Sequence, residues 1–111
     1  FYVNWFRKTK DGKWLWPGYG DNSRVLKWVF ERTEGKGKAV ETPIGYMPTV
    51  DAIDRSGLKV SDDDMAELLK VDKEEWKKEV ASIKNDHYSK FGDKLPKELN
   101  EQLEKIASRL N

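Results

Sequence analysis

Nine of the thirteen aromatic side chains fall within the first thirty positions, and three of them crowd a stretch that no helix or strand accommodates, Trp14-Leu15-Trp16-Pro17-Gly18-Tyr19-Gly20-Asp21-Asn22. Pro17 fixes φ and removes a backbone donor, and the two glycines open backbone shapes closed to other residues, so the stretch is expected to be an ordered loop. Loops run over the surface, where large rings need a reason to be. Either the rings pin the loop to its domain, or they offer flat faces to a partner. A nucleobase stacked on such a face gains about 1–3 kcal/mol, and the amide of Asn22 supplies a donor and an acceptor for a base edge. Both readings fit the residues.

At 111 residues the chain has room for one core or part of one. Apolar and charged residues each make up 37%, which points to many solvated helical faces. No stretch approaches the roughly 18 apolar residues of a membrane span, and Phe1–Phe6 is too short for a signal-peptide core, so no membrane partner is expected. The absence of cysteine removes disulfides, thiolate metal sites and cysteine nucleophiles, and agrees with the cytoplasm. Residues 1–50 carry nine Lys/Arg against five Asp/Glu and residues 51–111 twelve against fifteen, so the first half mildly favours an anionic ligand. His87, the single histidine, sits on the apolar side of a predicted helix and is expected to pack there. Asp62, Asp63 and Asp64 suit a helix dipole better than a cation. There is no G-x-x-x-x-G-K-S/T loop, no G-x-G-x-x-G and no G-x-S-x-G elbow, so no catalytic residue and no metal ligand is assigned.

Along the chain, Phe1-Tyr2-Val3-Asn4-Trp5-Phe6 has the aromatic and β-branched content of a strand, and Asp11-Gly12 marks a tight turn after it. A chain opening inside a strand suggests a segment of something larger. Asn22 or Ser23 is expected to cap a helix burying Val25, Leu26, Val29 and Phe30 and stopping at Gly35. Lys36-Gly37-Lys38 reads as a flexible surface loop, Val40–Met47 as at best one edge strand, and Thr49–Val60 as loop. Ser61-x-x-Asp64 opens a short helix with Met65, Leu68 and Leu69 inward. Asp72-x-x-Glu75 opens a longer one carrying Trp76, Val80, Ile83, His87 and Phe91 to a stop at Gly92. Pro96 fits the first position of a last helix with Leu99, Leu103, Ile106 and Leu110 inward, and the two should form an αα-hairpin.

Asn4-Trp5-Phe6-Arg7 followed by Trp14-Leu15-Trp16-Pro17-Gly18-Tyr19-Gly20-Asp21-Asn22-Ser23-Arg24-Val25-Leu26 resembles the guanine-recognition segment of GTP-dependent phosphoenolpyruvate carboxykinases, and Thr42-Pro43-Ile44-Gly45-Tyr46 resembles the strand that follows there. The resemblance is strong over residues 1–46 and weaker over the helical tail, 61–111. It implies an α+β segment at the C-terminus of the nucleotide-binding domain of a mixed α/β enzyme. It implies conversion of oxaloacetate and GTP to phosphoenolpyruvate, carbon dioxide and GDP in gluconeogenesis, with Mn2+ and Mg2+ held by ligands outside these residues. Guanine is then held between rings at Phe6, Trp14 and Tyr19, with the base edge read at Asn22 and by backbone at Gly20 and Asp21. Trp14 and Tyr19 stand where Phe is common in that family, and each keeps a π-face. The amide of Asn22 is expected to be oriented by backbone around Gly20 and Ser23. GTP and GDP, oxaloacetate, phosphoenolpyruvate and the rest of the enzyme are the implied partners, and the segment alone is expected to be inactive. Two rivals remain, a stand-alone aromatic and basic platform for single-stranded nucleic acid and a structural interaction module.

Overall fold

The computed structural model describes residues 1–111 and is α+β, with one two-stranded antiparallel sheet and four α-helices. Backbone contacts divide the chain into two compact units. The first holds residues 1–41 and 46–70; the second holds 71–111 with the hairpin turn 42–45.

The first unit does not begin with the expected strand. Residues 1–6 form no ladder and Phe1, Tyr2, Val3 and Phe6 are exposed. Their composition favours a pleated surface, but a strand exists only when paired, and no strand of this chain lies against them. The Asp-Gly turn does form. Thr9 N donates to Lys13 O at 2.8 Å, Leu15 N to Arg7 O at 3.0 Å, and Lys8 bridges Trp14 antiparallel, with Gly12 at φ 83° in the left-handed region that suits glycine. Arg7, at the neck of this hairpin, donates through Nη1 to Glu67 O (2.8 Å) and Leu68 O (3.2 Å), satisfying the last carbonyls of helix α2 (Asp62–Leu69).

Helix α1 spans Asn22–Thr33 and buries Trp28, with Val25 and Val29 beside it; Leu26 and Phe30, expected inside, are exposed. The bulk of Trp28 sets the inward face one position round from the expected stripe, and its indole donates to Lys38 O at 2.8 Å. The segment after α1 is not a free surface loop. Gly37 is buried, an added Cβ would lie 3.1 Å from the Arg32 backbone nitrogen, and Arg32 Nη1 donates to Gly37 O. The predicted single edge strand is a hairpin of β1 (Ala39–Thr42) and β2 (Gly45–Pro48), because Pro43 presets a turn and Gly45, at φ 124°, permits the return. Residues 49–60 are held by turns, with Ile53 buried beside Trp16, Trp28 and Met65. Asp51 accepts from Lys38 Nζ and Thr49 Oγ1, and these bonds, that from Lys38 first, hold its carboxyl down at about 2. Ser61 caps α2 as expected, its Oγ accepting from Asp64 N at 3.1 Å, and Met65 is buried with Leu68 and Leu69 against the same core.

In the second unit, Asp72 caps α3 (Lys73–Ser82) by accepting from Glu74 N and Glu75 N. The helix does not run intact to Gly92. A π turn at Ile83–His87 and a 3-10 segment at Tyr88–Lys94 follow, and Gly92 stands out of helix at φ 54°. The wider π turn slips the helical register, so Tyr88 is half-buried while His87 and Phe91, expected to pack, are exposed and meet edge to face at 5.3 Å. Helix α4 is Lys97–Leu110; Pro96 is its N-cap residue, one position before the expected place. Leu103 and Leu110 are buried, and Lys84 meets Glu104 at 2.9 Å from nearly equal distances either side of the Leu95 turn, the register of an antiparallel αα-hairpin. No helix is long and apolar enough to cross a membrane.

Candidate functional site

The aromatic loop is shaped in two steps. The tight hairpin of residues 7–15 first brings Phe6 and Trp14 together at its neck, ring centroids 6.0 Å apart and planes at 66°, with Lys8 Nζ 4.2 Å above the Trp14 ring. Both rings stay largely open, Phe6 72% and Trp14 57% exposed. Lys8 lies over one face of Trp14, and the high exposure of both rings leaves aromatic surface accessible to a flat partner.

Leu15 and Trp16 then turn inward and are buried, and Trp16 joins the core. Gly18, at φ 84°, reverses the chain into the 3-10 turn Tyr19–Asp21, where Asp21 N donates to Gly18 O at 2.9 Å. Tyr19 projects from the top of this turn, 98% exposed and touching no other ring. Thus Phe6 and Trp14 are brought together, while Tyr19 stands apart on the same loop. Gly20 O accepts from Ser23 Oγ at 2.9 Å. The Asp21 carboxylate accepts from Arg24 Nε at 2.9 Å, and Arg24 Nη1 reaches Asp54 O at 2.8 Å, so the side chain of Asp21 is committed to fastening the loop. Asp54 itself is held below the ordinary carboxylate range by the backbone N–H of Ser56.

Asn22 is not the expected cap. It is the first residue of α1, no side chain caps that N-terminus, and its Oδ1 accepts from Trp16 Nε1 at 2.8 Å. An indole N–H can only donate, so the amide oxygen faces Trp16 and the NH2 group faces away. Nδ2 donates to no protein group and is not buried. The expected backbone orientation of this amide is therefore replaced by a side-chain one. Trp16 and Arg24 are the two residues that sequence reasoning did not assign to the site. A separation of six residues follows no periodicity, and the one available signal was that a buried tryptophan needs an acceptor for its N–H.

An open groove of about 320 Å3 lies elsewhere in this unit, between Phe1, Trp28, Arg32, Thr33 and Tyr46, and is lined by none of the expected site residues. The acidic triplet serves α2: Asp62 accepts from Arg55 at 2.7 Å and Asp64 N donates to the cap. No three His, Asp or Glu side chains converge as metal ligands.

Comparison with known proteins bears on the same residues. The family model described as phosphoenolpyruvate carboxykinase C-terminal P-loop domain matches residues 1–109. The phosphoenolpyruvate carboxykinase (GTP) of Treponema pallidum (strain Nichols) is 53% identical over the full chain, that of Neocallimastix frontalis 55% over 99% of it, and that of Arthrobacter sp. (strain FB24) 50% over 99%. The chain spans 18% of the length of each of these relatives. With almost the whole chain matched by the family model, the chain belongs to the GTP-dependent phosphoenolpyruvate carboxykinase family, as part of its C-terminal domain.

Proposed function

We propose that the loop from Phe6 to Asn22 is the guanine subsite of a GTP-dependent phosphoenolpyruvate carboxykinase. The parent protein converts oxaloacetate and GTP to phosphoenolpyruvate, carbon dioxide and GDP, a gluconeogenic step in the cytoplasm. Mn2+ and Mg2+ supply charge stabilisation at the transferring phosphoryl group when bound, and their ligands belong to the rest of that protein. The contribution of this chain is to select and hold the base. Phe6, Trp14 and Tyr19 offer the stacking faces, Asn22 offers an amide to the base edge, and the backbone around Gly20 and Asp21 borders it. GTP and GDP are the ligands of the loop, and oxaloacetate and phosphoenolpyruvate bind elsewhere.

The observation that carries this reading is the coexistence, on one short segment of a family member, of three exposed aromatic rings with an amide whose donor end is free of protein partners. Titrating the full-length protein with GTP, ATP and a single-stranded oligonucleotide tests it. Preference for GTP over ATP, weakened by Phe6→Ala, is the expected result. Salt-sensitive oligonucleotide binding with little preference among bases would favour a nucleic-acid platform instead.

A further inference from the structure

The two ends of a carboxamide differ only in what they can bond, and the terminal torsion of asparagine is broad and roughly two-fold, so hydrogen bonds decide which way the group faces. A freely turning amide at Asn22 would accommodate either purine, donating to guanine O6 in one orientation and accepting from the adenine amino group in the other. The surroundings of Asn22 are not symmetric. Trp16 Nε1 lies 2.8 Å from Oδ1, and Trp16, 7% exposed, is packed with Trp28, Ile53 and Met65. The indole therefore cannot swing aside to suit a turned amide. Turning it would set the NH2 group against the indole N–H, donor against donor, and leave a buried donor unpaired.

We infer that Trp16 is the positioning residue for purine selection: by holding Oδ1 of Asn22, its indole N–H directs Nδ2 outward as an obligatory donor. An outward donor matches guanine O6 and opposes the adenine amino group. The second lone pair of Oδ1 remains for the guanine N1–H. Specificity then originates in the core, since the packing that fixes Trp16 also fixes the polarity of the amide. This deepens the guanine reading above and rests on it.

The test uses the full-length protein, with GDP and ADP affinities measured by titration for wild type, Trp16→Phe, Asn22→Ala and the double variant. Trp16→Phe keeps an aromatic ring and removes the donor. The preference for GDP over ADP is expected to fall about tenfold, largely through tighter ADP binding, with no further fall when Trp16→Phe is added to Asn22→Ala. A folded Trp16→Phe protein with unchanged preference overturns the inference, and the guanine reading survives if Asn22→Ala still lowers it. Unchanged preference in Asn22→Ala overturns base reading at Asn22 and the inference with it. Should Trp16→Phe fail to fold, indole N–H exchange in the wild-type protein decides. Exchange at Trp16 much slower than at exposed Trp14, and slowed further by GDP but not ADP, supports the inference; loss of either difference overturns it.

Discussion

In the proposed guanine subsite Asn22 and Tyr19 would meet the base in different ways, one at its edge and one on its face, and substitutions separate them. Asn22→Ala in the full-length protein is expected to raise the Michaelis constant for GTP and narrow its preference over ATP. Asn22→Asp is expected to be worse, because a carboxylate still accepts from Trp16 but donates nothing to O6. Steady-state kinetics with both nucleotides check this. Tyr19→Ala removes a face that stands 98% clear of the protein, so the expected cost is about 1–3 kcal/mol in GTP affinity with oxaloacetate affinity unchanged. Tyr19→Phe is expected to be mild, since the hydroxyl makes no hydrogen bond within the chain. Which residues form the loop was legible from its Pro, Gly and aromatic content. The orientation of Asn22 was not, because a bond from Trp16 to the first residue of a helix leaves no mark in sequence spacing.

One latch holds the hairpin that leads into the loop. Arg7 ties the hairpin neck to the end of α2, so Arg7→Ala should lower stability by about 1–2 kcal/mol in a denaturation experiment, the lower part of the range for a charged hydrogen bond because the side chain is 29% exposed. Gly12→Ala forces a Cβ into the left-handed region at φ 83° and should cost about 1–2 kcal/mol. Gly20→Ala, with ordinary backbone and open space around its Cβ, should be close to neutral in stability. The bond between Lys38 and Asp51 joins the start of β1 to the segment after β2. Because the Asp51 carboxyl is lowered from 3.8 to about 2, its stabilising share is complete above pH 3.8 and disappears as pH falls through 2. Carboxyl titration by NMR should place its midpoint near 2, and Asp51→Asn should remove that step. Helices α1 to α4 were readable as elements from apolar spacing, and α2 and α3 also from their caps at Ser61 and Asp72, whereas the expected side-chain cap of α1 does not form. The terminal strand was not, since propensity at Phe1–Phe6 says nothing about a pairing partner, and the π turn after α3 changed a register that simple periodicity carries through to His87.

Across the molecule, the first unit surrounds one core, and the candidate site rests on it through Trp16. Met65→Ala, at a position 2% exposed, should cost about 2–5 kcal/mol and weaken guanine preference as the support of Trp16 loosens, whereas Leu103→Ala should destabilise the second unit. The 111 residues alone, given GTP, oxaloacetate and manganese, should form no phosphoenolpyruvate above a no-protein control, since nothing in them gathers metal ligands or a phosphate loop. The most direct measurement is photolabelling of the full-length protein with 8-azido-GTP, followed by sequencing of the labelled peptides. Label within the Phe6–Asn22 loop, displaced by GTP far better than by ATP, is the expected result; label confined to peptides outside that loop would contradict a guanine subsite there.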